Sequence, residues 1–285
     1  MTTPTAQEHV ESQRRDWNRV APGWEKWDRV LDENLAFVNY RLAGDARLRP
    51  GQRVLDLGSG TGYPALLSAQ AVGSGGEVIG LDVAEDMLEV ARRKAKALGL
   101  ANVAFRHADV TTLPFEAGSF DAVISRFCLM FLPDVPKAVA EIARVLKPGG
   151  YVAAAVWSTP DKNPFILAPI NVIKTFTDVP APAPEQPGIF RLAKPGDLLG
   201  MMARAGLTPL ADDEVTGESP FASPQEYLDN LLDIAAPIQN LMAKLTDDQR
   251  EAAKDGIKRA VESYRRGAGL ALPMTIRVVT ARKPM

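Results

Sequence analysis

The sequence predicts an α/β fold built on a doubly wound, mostly parallel β-sheet. Short runs rich in Val, Ile and Leu recur from residue 50 onward, without the polar alternation of a strand that has one face in water. Segments of helix length separate the first runs, an order that places helices on both faces of a parallel sheet. A glycine-rich loop directly follows the first run. The predicted strands are Arg53–Leu57, Val78–Val83, Val103–His107, Phe120–Ser125, Tyr151–Trp157, Leu207–Val215 and Leu272–Ala281.

Three helices are predicted between the first five strands. In the second of them, Met87, Ala91 and Ala95 recur at helical spacing, so we expect this face to pack on the sheet. Gly99 follows the same segment and is typical of a helix C-terminus. The predicted helices are Gly62–Val72, Ala84–Leu98 and Val135–Leu146.

Two helical blocks accompany the predicted sheet domain, which comprises residues 49–218 and 270–285. Residues 1–48 form an N-terminal helical cap, with aromatic side chains spaced along it, and we expect two or three short helices interrupted at Pro22-Gly23. Residues 219–269 form a mostly helical insertion before the last strand. The aliphatic residues of this insertion suit either a lid over an acceptor pocket or a contact between the subunits of a homodimer.

Composition and charge exclude several classes of protein. Of the 285 residues, 46% are hydrophobic and 24% are charged, as in folded globular chains. The 33 basic residues are balanced by 35 acidic ones, which argues against a nucleic-acid partner because nucleic-acid binding needs an excess of positive charge. Cys128 is the only cysteine, and no metal-binding motif is present, so we expect no metal. Without a secretory signal or a run of roughly 18 apolar residues, the sequence predicts a cytoplasmic protein with no transmembrane segment.

The segment Val54–Gly62, VLDLGSGTG, is the strongest local signal for a ligand site. It places Asp56 in the first strand and follows that strand with three glycines at a turn into a helix. Glycine lets the backbone come within contact distance of a ligand, and a helix N-terminus offers free N–H groups. An ordinary strand-to-helix turn would use glycines as well. The G-x-G-x-G spacing differs from the G-x-G-x-x-G of dinucleotide-binding loops, which disfavours the alternative of a dinucleotide-dependent oxidoreductase.

Acidic side chains follow the next two strands. Asp82 closes the second strand about 20 residues after Gly62, where a carboxylate can accept hydrogen bonds from a ribose diol. Capping of the following helix is the simpler interpretation of Asp82. Asp109 follows the third strand and can accept a hydrogen bond from an amine such as adenine N6, while Val110 offers a backbone N–H. Because the carboxyl ends of parallel strands meet at one edge of the sheet, these residues predict a nucleoside site there.

These motifs resemble, in type and order, those of the class I S-adenosylmethionine-dependent methyltransferases. The N-terminal segment Val20–Trp24 resembles an element of their small-molecule subgroup, which includes ubiquinone/menaquinone-type and natural-product methyltransferases, with Trp in place of Tyr. The resemblance implies a Rossmann-like, seven-stranded sheet with a final antiparallel strand, and S-adenosylmethionine as the cofactor. The matching segments are VLDLGSGTG (54–62), GLDVAEDML (80–88), ADVTTLPF (108–115), FDAVISRF (120–127) and EIARVLKPGGYV (141–152).

The resemblance also implies a role for each matching residue. Most of these residues come from strand ends and the loops after them, and Trp24 comes from the cap. By this resemblance, Asp56, Gly58, Ser59 and Gly60 hold the methionine part of the cofactor, Asp82 holds the ribose, Val83 and Met87 contact the adenine ring, Asp109 and Val110 contact its edge, Ser125 and Arg126 face the methionine end and the acceptor, and Trp24 covers the sulfonium region.

The activity that the resemblance implies is methyl transfer to a small, apolar organic acceptor through an O, N or C atom. Such an in-line displacement depends mainly on alignment and on the exclusion of water, and it needs a base only where the acceptor must lose a proton. His9 and Arg126 are the candidate catalytic residues, because the chain has only two histidines and His107 lies beside the expected adenine site. A protein that binds the cofactor without catalysis is a further alternative.

Overall fold

A mixed β-sheet with helices around it forms the centre of the computed structural model, which describes residues 5–179 and 186–285. The order of the strands is β3-β2-β1-β4-β5-β8-β6, and β8 runs antiparallel to both of its neighbours in that order. The predicted α/β fold with a final antiparallel strand is therefore confirmed. The strands are β1 (Arg53–Leu57), β2 (Glu77–Asp82), β3 (Val103–His107), β4 (Phe120–Arg126), β5 (Leu146–Trp157), β6 (Thr208–Phe221), β7 (Arg265–Arg266) and β8 (Gly269–Arg282).

Ten α-helices surround this sheet in the described part of the chain. None of them is both long and apolar enough to cross a lipid bilayer. The helices are α1 (Ala6–Lys26), α2 (Asp28–Asp45), α3 (Ala65–Val72), α4 (Glu85–Ala97), α5 (Val135–Val145), α6 (Pro164–Ile173), α7 (Asp197–Arg204), α8 (Pro224–Ile234), α9 (Ala236–Met242) and α10 (Asp247–Val261).

The helical insertion is shorter than predicted at both ends. Residues 219–221, assigned above to the insertion, continue β6, which pairs with β8 as far as Phe221 opposite Leu270. At the other end, the two-residue strand β7 forms a hairpin with β8 and adds an eighth strand that was not expected. The helices between them have their own apolar core, in which Tyr227, Ile257 and Leu272 are fully buried. Pairing with a neighbouring strand thus decides where the insertion begins.

The cap also differs from its prediction, because α1 continues through Pro22 and ends at Lys26. The expected break at Pro22-Gly23 is wrong. Side chains beyond the proline bind the C-terminal end of α8: Trp24 Nε1 donates to the carbonyl oxygen of Ile234 at 3.0 Å, and Trp27 Nε1 donates to Asp233 Oδ2 at 2.8 Å. These tertiary contacts offset the local cost of a proline inside a helix.

At Gly23 the cap and the insertion are in close contact. A Cβ added at this position would lie 2.1 Å from the carbonyl oxygen of Asp233, a distance that atoms cannot adopt without a shift of the backbone. Lys26 Nζ also binds Asp233 Oδ2 at 2.7 Å beside it. The absence of a side chain at Gly23 therefore sets how closely α1 packs on α8.

Substitution of Gly23 by alanine is expected to lower the free energy of unfolding by about 1–3 kcal/mol, because the added methyl group overpacks the contact between α1 and α8. Gly44 in α2 is the matched control, since no atom lies within 4 Å of a Cβ added there. We expect Gly44→Ala to raise stability by about 0.5–1 kcal/mol through its better helix propensity. Thermal or urea unfolding measures both changes, and equal effects of the two variants would contradict the close contact at Gly23.

Candidate cofactor and acceptor site

Three carboxylates converge at the carboxyl edge of the sheet. Asp56 lies in β1 and Asp82 ends β2, which pairs with β1 in parallel, while Asp109 follows β3 at the outside of this group. The loop after β1 is bonded to β2, because the N–H groups of Gly58 and Ser59 donate to the carbonyl oxygen of Leu81 at 2.8 and 2.9 Å. The predicted meeting of these strand ends is therefore present in the structure.

The glycine loop adopts a backbone that few other residues could follow. Gly58, Gly60 and Gly62 have φ values of +70°, +51° and +109°, in the left-handed region that favours glycine. A Cβ at Gly58 would lie 2.4 Å from the Cβ of Cys128. The loop thus delays the helix, and α3 begins at Ala65 rather than at Gly62 as predicted.

Asp56 is fully buried, and neither of its carboxylate oxygens has a hydrogen-bond partner within the described residues. Burial raises the pKa of Asp56 to about 7, although the nearby Arg126 guanidinium lowers it, as does the backbone N–H of Ala65, which lies close but outside hydrogen-bonding geometry. A buried carboxylate without partners is costly, and such a group points to a ligand that the folded chain is built to receive.

Asp82 is held in place by the loops on both sides of it. Its Oδ2 accepts a hydrogen bond from the N–H of Gly60 at 2.9 Å, and its Oδ1 accepts one from the N–H of Ala84 at 2.9 Å. Burial raises the pKa of Asp82, whereas these amides lower it. The bond to Ala84 is consistent with the interpretation of Asp82 as a cap of the following helix. The bond to Gly60 fixes the carboxylate against the glycine loop. Asp82 is therefore oriented before any ligand binds.

Asp109 uses a single oxygen for its internal bonds. Its Oδ1 accepts from both the N–H and the hydroxyl of Thr111 at 2.8 Å, which leaves Oδ2 as the oxygen for an external donor. Val83, Met87 and Val110 line the same cavity beside these carboxylates. An apolar slot edged by one carboxylate is the environment that a flat, amine-bearing ring requires.

Cys128 lies close enough to the three carboxylates for their negative charges to affect its thiol. Burial raises the pKa of its thiol well above the usual range, and the charges of Asp82, Asp56 and Asp109 raise it further. The thiol therefore stays protonated at neutral pH and is a poor nucleophile.

One continuous cavity opens beside the glycine loop and holds about 1790 Å³ of space, including the part open to solvent. The glycine loop lies at one end of this cavity, and aromatic residues such as Trp17 and Trp157 lie at the other. Asp56 and Ser125 are the two predicted cofactor residues that do not line it. The predicted site residues that do line it are His9, Trp24, Gly58, Ser59, Gly60, Asp82, Val83, Met87, Asp109, Val110 and Arg126.

Ser125 is buried in β4, and its hydroxyl donates to the carbonyl oxygen of Leu57 at 3.0 Å. That bond joins β4 to the end of β1, so the side chain supports the sheet at the edge of the site. Arg126, the next residue, has the opposite orientation and lines the cavity. The alternation of side chains along a strand explains why only one of this pair reaches the ligand space.

Arg126 is a buried cation at the wall of the cavity. Its Nη1 donates to Asn39 Oδ1 in α2 at 2.8 Å. Burial lowers the pKa of the guanidinium to about 10, although Asp56 and Asp32 raise it. It therefore remains charged at neutral pH, and it is suited to bind an anionic group instead of exchanging protons.

His9, the histidine named above as a candidate catalytic residue, lies in the cavity wall. Its Nε2 is 3.0 Å from the carbonyl oxygen of Phe131. Because a carbonyl oxygen only accepts, Nε2 carries the hydrogen, and Nδ1 is the nitrogen of neutral His9 that can accept a proton. The contact also joins the first turns of α1 to the loop after β4.

Aromatic side chains form the second end of the cavity. Phe127 stacks on Trp157 with ring centroids 4.3 Å apart and planes 2° apart. Phe127 has a φ of +58°, which is unusual for an aromatic residue and shows that its surroundings hold it in place. The aromatic residues of this wall are Trp17, Trp24, Phe127, Phe131, Trp157 and Phe165.

Three polar residues that sequence reasoning missed lie among these apolar walls. Asn34 of α2 donates from Nδ2 to Ser219 Oγ of β6 at 2.8 Å, and Asn230 of α8 lines the same cavity. They come from distant parts of the chain and form no local motif, so only the fold brings them to one site.

Comparison with known proteins agrees with the site. The family profile described as a methyltransferase domain matches residues 54–150. A demethylmenaquinone methyltransferase of Thermus thermophilus is 40% identical over 152 residues, which cover 53% of this chain and 68% of that protein. The chain belongs to the class I S-adenosylmethionine-dependent methyltransferases, of the quinone and natural-product type. It is therefore an enzyme, and S-adenosylmethionine is its cofactor.

Two other demethylmenaquinone methyltransferases match over a smaller share of their length. The Staphylococcus aureus protein is 41% identical over 140 residues, covering 47% of this chain and 57% of that protein. The Bacillus cytotoxicus protein is 43% identical over 141 residues, covering 48% of this chain and 59% of that protein. The chain thus spans somewhat more than half the length of these two relatives.

Solved structures share the fold at low sequence identity. A protein of Bacillus halodurans has a TM-score of 0.59 at 22% identity and covers 87% of this chain and 99% of its own. The [4+2]-cyclase SpnF has a TM-score of 0.56 at 21% identity and covers 94% of this chain and 96% of its own. These likenesses concern the fold alone, and the cyclase illustrates that one fold serves more than one reaction.

The residues at the carboxyl edge fit S-adenosylmethionine. Asp56 provides buried oxygens without partners, the loop at Gly58 leaves no space for a side chain, and Ser59 Oγ is also buried without a partner in the described structure. These are the features of a cradle for a polar, cationic ligand.

Cofactor affinity is expected to depend on the ionisation of Asp56. With a pKa of about 7 in the free protein, the carboxyl is protonated below that pH, and binding of the cationic amino group then requires loss of the proton. Affinity should therefore rise with pH up to about 7 and level off above it. Titration calorimetry from pH 6 to 8 measures this dependence, together with the proton released on binding.

Asp56→Asn and Asp121→Asn are the variants for this test. Asp56→Asn should lose the pH dependence and weaken cofactor binding at pH 8 by roughly tenfold or more, in line with the loss of one charge-assisted contact. Without cofactor, Asp56→Asn should unfold at a higher temperature than the wild type at pH 8. The reason is that a carboxyl whose pKa is raised in the native state reduces the stability of the wild type as pH rises from about 4 to 7, and the variant lacks this carboxyl. Asp121 binds Lys147 at 2.8 Å outside the cavity, so its variant should keep the wild-type pH profile. If Asp56→Asn kept the wild-type pH dependence of cofactor affinity, Asp56 would not be a cofactor-binding residue.

Proposed function

We propose that this enzyme methylates a small, planar, mostly apolar acceptor of the phenol or quinol type. The observation that carries the proposal is the continuity of the cavity, which passes from the glycine loop and Asp82 into the chamber walled by Trp17, Phe131 and Trp157. Aromatic walls bind flat rings through stacked and edge contacts. The acceptor and the methyl donor would therefore meet where the two ends of one cavity join.

The cofactor is proposed to lie along the carboxyl edge of the sheet. Its methionine part would lie at Asp56 and the glycine loop, with Arg126 facing its carboxylate. Asp82 would accept from the ribose hydroxyls, and Asp109 Oδ2 would accept from the adenine amine, with Val83, Met87 and Val110 against the ring. These assignments are supported by the orphaned oxygens of Asp56, by the fixed orientation of Asp82 and by the single-oxygen bonding of Asp109.

S-adenosylmethionine supplies a methyl group on a cationic sulfur, so the protein needs to bind, align and shield the reactants. With an acceptor bound, the aromatic chamber would exclude water from the reacting atoms, and its walls would restrict the acceptor to few orientations. Alignment of this kind can supply a large part of the rate enhancement. Nδ1 of His9, in the described cavity wall, would be available to accept a proton where the acceptor must lose one.

The nature of the acceptor follows from the relatives as well as from the walls. The similar curated proteins are named as demethylmenaquinone methyltransferases, so their acceptor is a quinone-derived ring. Much of the chamber of this chain, including its residues from α1, α2, α8 and α9, lies outside the segment 54–150 that the family profile matches. We therefore propose that the acceptor of this enzyme has the same type of ring, and experiment must identify the substituents of that ring.

The remaining parts of the proposal concern partners and location. Residues Asn230, Ile234 and Ile238 of the insertion line the cavity, which favours a wall of the acceptor chamber over a homodimer contact. The near balance of charge favours a small-molecule substrate over a nucleic acid. We propose the cytoplasm as the place where the enzyme works.

Transfer of tritiated methyl groups to a panel of acceptors tests the function. The panel contains hydroquinones, naphthols, aliphatic amines and sterols, and S-adenosylhomocysteine is measured as the second product. We expect turnover with the aromatic hydroxyl compounds and little with the amines. A protein whose melting temperature rises with S-adenosylhomocysteine but which methylates no member of the panel would contradict the proposed acceptor class.

His9→Gln separates alignment from base catalysis. The glutamine amide can keep the hydrogen bond to Phe131, but it cannot accept a proton as Nδ1 of histidine does. We expect kcat to fall less than tenfold, because the reaction is proposed to depend mainly on alignment. A general base typically contributes roughly a hundredfold or more. A loss of that size, with disappearance of the acidic limb of the pH–rate profile, would assign the base to His9.

A further inference from the structure

Four buried side-chain atoms in the described residues lack a hydrogen-bond partner, and they mark two separate places. Three of them, both carboxylate oxygens of Asp56 and Oγ of Ser59, belong to the glycine loop and the strand before it. The fourth is Nδ2 of Asn230, in the helical insertion. A buried amide without a partner is costly and therefore rare in folded proteins.

Asn230 lies in the wall of the acceptor chamber. It is 2% exposed, it belongs to α8, and it lines the cavity together with Asn34 and Ser219. The other two satisfy each other, because Asn34 Nδ2 donates to Ser219 Oγ at 2.8 Å, whereas Nδ2 of Asn230 has no such neighbour in the described chain. The rest of the wall around it is mostly apolar, so a ligand is the remaining partner to which this amide could donate.

We propose that Nδ2 of Asn230 donates a hydrogen bond to an oxygen atom of the acceptor that is separate from the methylated atom. The inference rests on the proposed function and refines it: the acceptor is a planar apolar ring system with a carbonyl, ether or hydroxyl oxygen remote from the reacting position. A donor in an apolar wall discriminates strongly between ligands that satisfy it and ligands that do not, because the unsatisfied group is left buried. Asn230 is therefore a specificity-determining residue.

Binding of two matched probes in the presence of saturating S-adenosylhomocysteine tests this assignment. The probes are 4-methoxy-1-naphthol and 4-ethyl-1-naphthol, which have nearly the same shape and differ in an ether oxygen against a methylene group. We expect the wild-type enzyme to bind the methoxy compound about tenfold more tightly by titration calorimetry. In Asn230→Leu, which keeps the size of the side chain, the ratio of the two dissociation constants should fall to within about twofold.

Three further measurements separate this role from a structural one. Asn230→Leu should unfold at a higher temperature than the wild type without ligands, since it removes a buried unpaired amide. Its affinity for S-adenosylhomocysteine should be unchanged. Leu228→Met is the matched control, because Leu228 is buried in the same helix but does not line the cavity, and the variant should keep the tenfold preference. A destabilised Asn230→Leu with equal loss of both probes would show a structural role and overturn the inference.

The probes also distinguish failure of this inference from failure of the proposed function. Equal binding of both probes by the wild type overturns the role of Asn230 and leaves a planar aromatic acceptor in place. Binding of neither probe overturns both proposals. A tenfold preference that is abolished in Asn230→Leu supports the inference even where the methyl-transfer panel fails, because binding is measured without turnover.

Discussion

The buried carboxylate of Asp56 is the constraint around which this structure is organised. A charge without partners inside a protein is tolerated only where the fold leaves little choice and function requires it. Here the end of β1 is covered by a loop whose three glycines adopt left-handed backbone angles, and Arg126 provides the nearby positive charge. The same loop also fixes the neighbouring strand end, because the N–H of Gly60 donates to Asp82 at the end of β2 and orients its carboxylate. The site is thus a set of strand ends coupled through one glycine loop.

The part of this site that could be predicted is the part that depends on local sequence. β3 matches its predicted bounds, and Asp82 and Asp109 appear at the strand ends where a nucleoside would be held. The reason is that short, uniformly apolar strands and the glycine turn are decided by neighbouring residues. Ser125 shows the limit of such reasoning, because one step along a strand turns a side chain from the cavity to the adjacent strand.

The parts that could not be predicted depend on contacts between distant segments. α1 continues through Pro22 because Trp24 and Trp27 bind α8, about two hundred residues later in the chain. Asn34, Ser219 and Asn230 come from α2, β6 and α8, and none of them belongs to a recognisable motif. The end of the cavity at the glycine loop was therefore predictable from sequence, whereas the aromatic end required the assembled fold.

The attachments of α1 are distributed unevenly along its length. From Asn18 to its end at Lys26, hydrogen bonds and ion pairs tie it to α4, α8 and α9, through residues such as Asn18, Arg19 and Glu25. The part of α1 before Asn18 is joined to the sheet domain by fewer contacts, mainly those of His9 and the edge of Trp17 with Phe131. Local opening starts where few contacts must be broken. The end of α1 at His9 is therefore the part of the cavity wall that we expect to open most readily, while the C-terminal end of the helix stays bound to α8.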